Sequence, residues 1–86
     1  MPTISRFFGI EIRIYFSDHN PPHFHAQYGD HEALVEIASL AVCRGELPRR
    51  ALVLVLEWAM LHRAELMANW QSAKINGETH EIAPLE

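Results

Sequence analysis

Ile10, Ile12, Ile14 and Phe16 alternate with Glu11, Arg13 and Tyr15, and this period of two predicts a strand over residues 10–16 with one buried face. A shorter apolar-rich segment, residues 4–8, predicts a second strand joined to the first through Gly9, whose freedom at positive φ suits a tight turn or bulge. Pro21 and Pro22 interrupt the pattern because each removes a backbone donor, so residues 18–22 are expected to form a loop. Alternation resumes at His23. Phe24, Ala26 and Tyr28 then share one face, and His23, His25 and Gln27 the other. Gly29-Asp30 has the form of a two-residue hairpin turn leading into a strand that carries Ala33, Val35 and Ile37. That turn places Phe24 opposite Val35, Ala26 opposite Ala33, His25 opposite Leu34 and His23 opposite Glu36. The polar face of the hairpin then holds His23, His25, Gln27, Glu32 and Glu36.

Residues 38–40 predict a turn, and residues 41–46 a weaker strand that Gly45 ends. Pro48 suits the first position of a helix, and Leu52, Val55, Leu56, Ala59, Leu66 and Trp70 recur at helical spacing after it. Unbroken over residues 48–73, that helix would run about 39 Å at 1.5 Å per residue, long for so small a domain, so a bend or break near His62 is expected. Ala51, Leu54, Trp58 and Leu61 form a second apolar face. The first half of the helix therefore needs cover from the sheet and from either the tail or another subunit, and a homo-oligomer, a dimer first, or a partner protein is expected. Asn76-Gly77 stops the helix, and residues 78–83 are expected to add an edge strand. The fold class is α+β: a single small domain, residues 1–86, with four to five mainly antiparallel strands packed on one long or bent helix.

The 86 residues suffice for one core but not for a deep cleft between lobes. At 49% hydrophobic and 21% charged the composition is globular, which excludes disorder. The single cysteine, Cys43, excludes an internal disulfide and reads as an inert buried residue. The first residues lack a basic segment followed by an apolar run, so a cytoplasmic protein is expected. The longest apolar stretch, residues 51–61, is far short of the roughly 20 residues that span a bilayer. A net charge of −4 disfavours nucleic acid held by bulk electrostatics.

Candidate chemistry concentrates in Asp18, His19, His23 and His25. Imidazole is the commonest transition-metal ligand and titrates near neutrality. His23 and His25 on one strand face, Glu36 opposite, and His19 or Asp18 on a proline-stiffened loop supply nitrogen and oxygen donors of the kind that zinc, manganese, iron or nickel take. Zinc is the first candidate. Against this stand a plain cross-strand pair of His23 with Glu36, and a non-metal role in acid/base work or in a non-enzymatic module that contacts a partner protein or RNA through the His cluster and the Arg49-Arg50 patch. Arg44, Arg49 and Arg50 form a basic group. Arginines in a first helical turn oppose the helix dipole unless an anion is near, so they are candidates for binding an anion or an acidic partner, against simple pairing with Glu46 or sheet carboxylates. His62 reads as a core-edge histidine, and Trp58 and Trp70 as core or interface anchors. No nucleophile or carboxylate pair points to a particular reaction.

Over nearly its whole length the chain resembles a bacterial family, domain of unknown function family 4160. The resemblance rests on Pro2-Thr3-Ile4-Ser5-Arg6-Phe7-Phe8-Gly9-Ile10, on Asp18-His19-Asn20-Pro21-Pro22-His23-Phe24-His25-Ala26 and on Gly45-Glu46-Leu47-Pro48-Arg49-Arg50. Leu56-Glu57-Trp58-Ala59, His62-Arg63, Glu65-Leu66 and Asn69-Trp70 extend it. Residues 38–43 are more apolar than that family leads one to expect. The resemblance implies no established activity. It implies one half of a two-gene unit beside a member of domain of unknown function family 2442, an arrangement similar to toxin–antitoxin modules, and hence a small partner protein from a neighbouring gene.

Overall fold

In the computed structural model, which describes residues 3–16 and 18–86, the chain first reverses at Phe8-Gly9. Both residues have positive φ, 50° and 80°, the geometry of a two-residue hairpin turn whose twist matches that of its strands. This turn joins β1 (Thr3–Phe7) to β2 (Ile10–Arg13). The loop with Pro21 and Pro22 leads to β3 (His23–Tyr28), the Gly29-Asp30 turn to β4 (His31–Glu36), and a further turn to β5 (Val42–Gly45). The five strands form one antiparallel sheet in the order β1-β2-β3-β4-β5. Gly45 is required where it stands, since an added Cβ would lie 2.2 Å from the Glu32 carbonyl oxygen.

The β3–β4 register is the expected one: His23 opposite Glu36, Phe24 opposite Val35, His25 opposite Leu34, Ala26 opposite Ala33. Ile10, Ile12, Phe24, Ala26, Ala33 and Val35 thereby fall on one face and are buried against α1 (Arg49–Leu61) and α2 (Arg63–Asn76). Trp58 is fully buried, with Phe7 and Phe24 at ring distances of 5.3 and 6.1 Å. Its truncation to Ala would cost about 3–5 kcal/mol.

The helical region breaks at His62, as its length required. His62 leaves helical geometry at φ −124° and ψ 25°, and its Nδ1 lies 2.6 Å from Glu65 Oε1 in the first turn of α2. Gly77, in the left-handed conformation, closes α2. Pro48 is the residue before the helix rather than its first. Cover for Trp58 comes from the tail: its Nε1–H donates to Ala83 O at 2.8 Å.

Three expectations need correcting. The strand at residues 10–16 ends at Arg13, and although Ile14 stays buried, Phe16 turns out to 44% exposure as the chain enters the loop. Residues 78–83 form no strand. Ile82 N–H alone bonds the β1 edge, at Ile4 O, while His80 N–H donates to the buried Asn69 Oδ1, so the tail crosses the edge instead of extending the ladder. Cys43 is exposed, because β5 is an edge strand, paired only with β4, whose residues are all open to solvent. Among the described residues, no helix is long and apolar enough to cross a membrane.

Candidate metal centre

His23 and His25 begin β3 two residues apart, so both side chains leave the sheet on the face opposite Phe24. The proline-bearing loop brings Asp18 over them. Asp18 Oδ2 lies 2.9 Å from His23 Nε2 and 2.9 Å from His25 Nε2, and the three side chains are only 18%, 7% and 13% exposed. One donor atom from each residue falls within 4.8 Å of the others. Trp70 of α2 packs against His23 at a ring distance of 5.2 Å, and Tyr15 meets His25 edge-on at 4.3 Å. A helix residue and a loop residue thus close the site that the strand begins.

The hydrogen bonds assign the protons. His23 Nδ1 lies 2.9 Å from Pro21 O, a group that only accepts, so Nδ1 carries the hydrogen. In neutral His23 the lone pair is then on Nε2, which faces Asp18 Oδ2 outside hydrogen-bond geometry and is buried without a partner. Two acceptor atoms face each other there, an arrangement that calls for positive charge between them. His25 Nε2 meets Asp18 Oδ2 in hydrogen-bond geometry at 2.9 Å. Its Nδ1 is buried, lacks a hydrogen-bond partner, and has Glu32 Oε2 at 3.4 Å. Ligating both imidazoles through Nε2 would leave one Nδ1–H to a carbonyl and the other toward a carboxylate, the usual outer partners of metal-bound histidine.

Partial burial pushes the Asp18 carboxyl up, but the His25 hydrogen bond and the His19 N–H, joined by coulombic attraction whenever His23 or His25 is protonated, hold it below its ordinary value of 3.8. Asp18 therefore stays an anion. Arg13, directly opposite His25, is engaged by the Tyr15 hydroxyl and by Glu11, which raise its already high pKa.

Not every candidate joins the cluster. His19 is exposed, and its backbone N–H, rather than its ring, contacts Asp18, at 3.1 Å. Glu36 faces His23 across the ladder, but its Oε1 takes a hydrogen bond from Ser39 Oγ at 3.0 Å. Arg44 lies on β5, and Arg49 and Arg50 in the first turn of α1; all three are exposed. Among the described residues, none of the three forms an ion pair, with Glu46 or with any other carboxylate. Glu32, which the register puts on the same polar face but which is not among the candidate ligands, joins the cluster because it lies diagonal to His25.

Residues 9–71 match the domain of unknown function DUF4160. The chain belongs to this family. No curated protein and no solved structure matches it. The DUF4160 span holds Asp18, His23, His25, Glu32 and both arginines of α1, whereas β1 and residues 72–86 flank it. The two flanks meet each other, through Ile82 N–H and Ile4 O at 2.8 Å.

Proposed function

We propose that this DUF4160 protein binds one divalent transition metal, zinc first, through His23 Nε2, His25 Nε2 and Asp18, with Pro21 O and Glu32 holding the two rings from behind. The observation that carries this is the unpartnered, buried His23 Nε2 set against the Asp18 carboxylate while Nδ1 is committed to Pro21 O. Two nitrogens and one oxygen are fewer ligands than a closed structural zinc site uses, and an open position suits a water or a substrate. His19, exposed on the same loop, is within the chain's means as a further ligand. The metal would act there as a Lewis acid or lower the pKa of bound water. Plasma mass spectrometry on untagged protein, with the His23→Ala/His25→Ala variant alongside, tests the assignment. Near-stoichiometric metal lost in the variant is the expected result, and absence of metal from the wild type after incubation with zinc would overturn it.

The wider role follows the family resemblance: a cytoplasmic component of a two-gene unit, similar to a toxin–antitoxin pair, that works with a small partner protein. Co-expression with the product of the neighbouring gene should yield a stoichiometric complex, and separate elution would remove this part of the reading.

A further inference from the structure

Helix α1 presents contrasting features at its two exposed ends. Near its start a groove of about 810 Å³ is lined by Phe8, Tyr28, Arg49, Arg50, Val53 and Leu54 among others. Phe8 stands 60% exposed at its rim, held at φ 50° where a bulky side chain is strained, a state that persists only when the surroundings impose it. Toward the other end Met60 and Leu61 are 67% and 68% exposed, and Glu57 is exposed beside them. Arg50, Val53, Glu57 and Met60 follow one another at steps of three and four and so share one face of the helix. No ion pair among the described residues engages Arg49, Arg50 or Glu57. One copy cannot join these ends, since Arg50 and Glu57 are about 10 Å apart along a rigid helix.

We propose that α1 is the contact between two copies of this chain, packed antiparallel about a twofold axis near Val53 and Leu54. A twofold contact must be self-complementary, and this face is. Arg50 of each copy comes opposite Glu57 of the other, and Met60 and Leu61 of each enter the groove beside Phe8 and Tyr28 of the other. Both the charges and the apolar surfaces are matched, each of them twice. A foreign acidic segment would satisfy the arginines but leave Met60 and Leu61 bare, which is why a second copy is the better occupant. Tyr28 and His23 end opposite sides of β3, roughly 16 Å apart at 3.3 Å per residue, so the contact is separate from the metal centre.

Sedimentation velocity over about 1–200 μM protein, a range in which mass action resolves a micromolar dimer, tests the proposal. Wild type should dimerise as concentration rises. Met60→Glu/Leu61→Glu should stay monomeric throughout while keeping the wild-type circular dichroism and metal content, because both side chains are exposed in the single copy. Glu57→Arg should weaken the dimer about tenfold or more, and adding Arg50→Glu should restore it by reversing both charges. A wild type that is monomeric over the whole range overturns the proposal. So does a dimer that survives Met60→Glu/Leu61→Glu, or a charge reversal that fails to restore association.

Discussion

Where β3 begins, Asp18, His23 and His25 are drawn under cover until two imidazole nitrogens each stand 2.9 Å from one carboxylate oxygen, whereas at the start of α1 Arg49 and Arg50 remain in solvent and, among the described residues, form no ion pair. The cost of each arrangement differs. Exposed cations are screened and hydrated, so leaving them unpaired costs little and keeps them free for recognition. Buried lone pairs that face one another are unfavourable, and a fold keeps them together only if something positive stabilises the group. On the proposals made above, the first region is the one that would hold an ion and the second the one that would meet a partner.

The sharpest way to break this contrast is to remove a donor. Asp18→Ala or His25→Ala should weaken zinc binding by more than about 100-fold, since each takes away a ligand rather than an outer partner. The rise in melting temperature that zinc gives the wild type, worth about 2.7 kcal/mol at one hundred times Kd, should vanish with it; differential scanning fluorimetry reads this directly. Next in size is Glu32→Gln, which should cost about 10–100-fold in zinc affinity by loosening the His25 ring, while Glu36→Gln, whose carboxylate is occupied by Ser39, should change affinity by less than about threefold. If Glu36→Gln proved the more damaging, Glu36 rather than Glu32 would be the carboxylate that supports the site. Smaller still, Arg49→Ala/Arg50→Ala should leave zinc affinity unchanged while altering association, which separates the two regions functionally.

The least effect is on acid stability. Asp18 is held below its ordinary value of 3.8, so its ionisation contributes stability that is fully present above about pH 4 and lost as pH falls through the lowered value. Acid unfolding of Asp18→Asn, followed without metal by circular dichroism, should show a shallower slope below about pH 4 than wild type.

Much of the sheet was legible because its determinants are local. Gly29-Asp30 fixes the β3–β4 register, and the length of an unbroken helix demanded the break found at His62. The tail was not legible, since its course is set by distant acceptors, Asn69 Oδ1 and Ile4 O, that compete with a ladder no pattern in residues 78–83 excludes. The positive φ of Phe8 was hidden for a related reason: Gly9 alone announces a turn, and the choice of turn type is made by the twist of the strands around it. At the site, Asp18, His23 and His25 stand out by residue type and spacing. Their burial does not, because Trp70 reaches His23 from α2, forty-seven positions along the chain. Glu36 illustrates the limit of register as a guide to ligands, since pairing puts it beside His23 but the Ser39 hydroxyl turns its carboxylate to the turn.

Titration calorimetry of zinc into metal-free protein, run with wild type and with His25→Ala, tests the metal centre most directly. One zinc per chain with a dissociation constant in the micromolar range or tighter, and no measurable binding to a folded His25→Ala protein, is the predicted result. No binding to the wild type, or binding that His25→Ala leaves untouched, would contradict it.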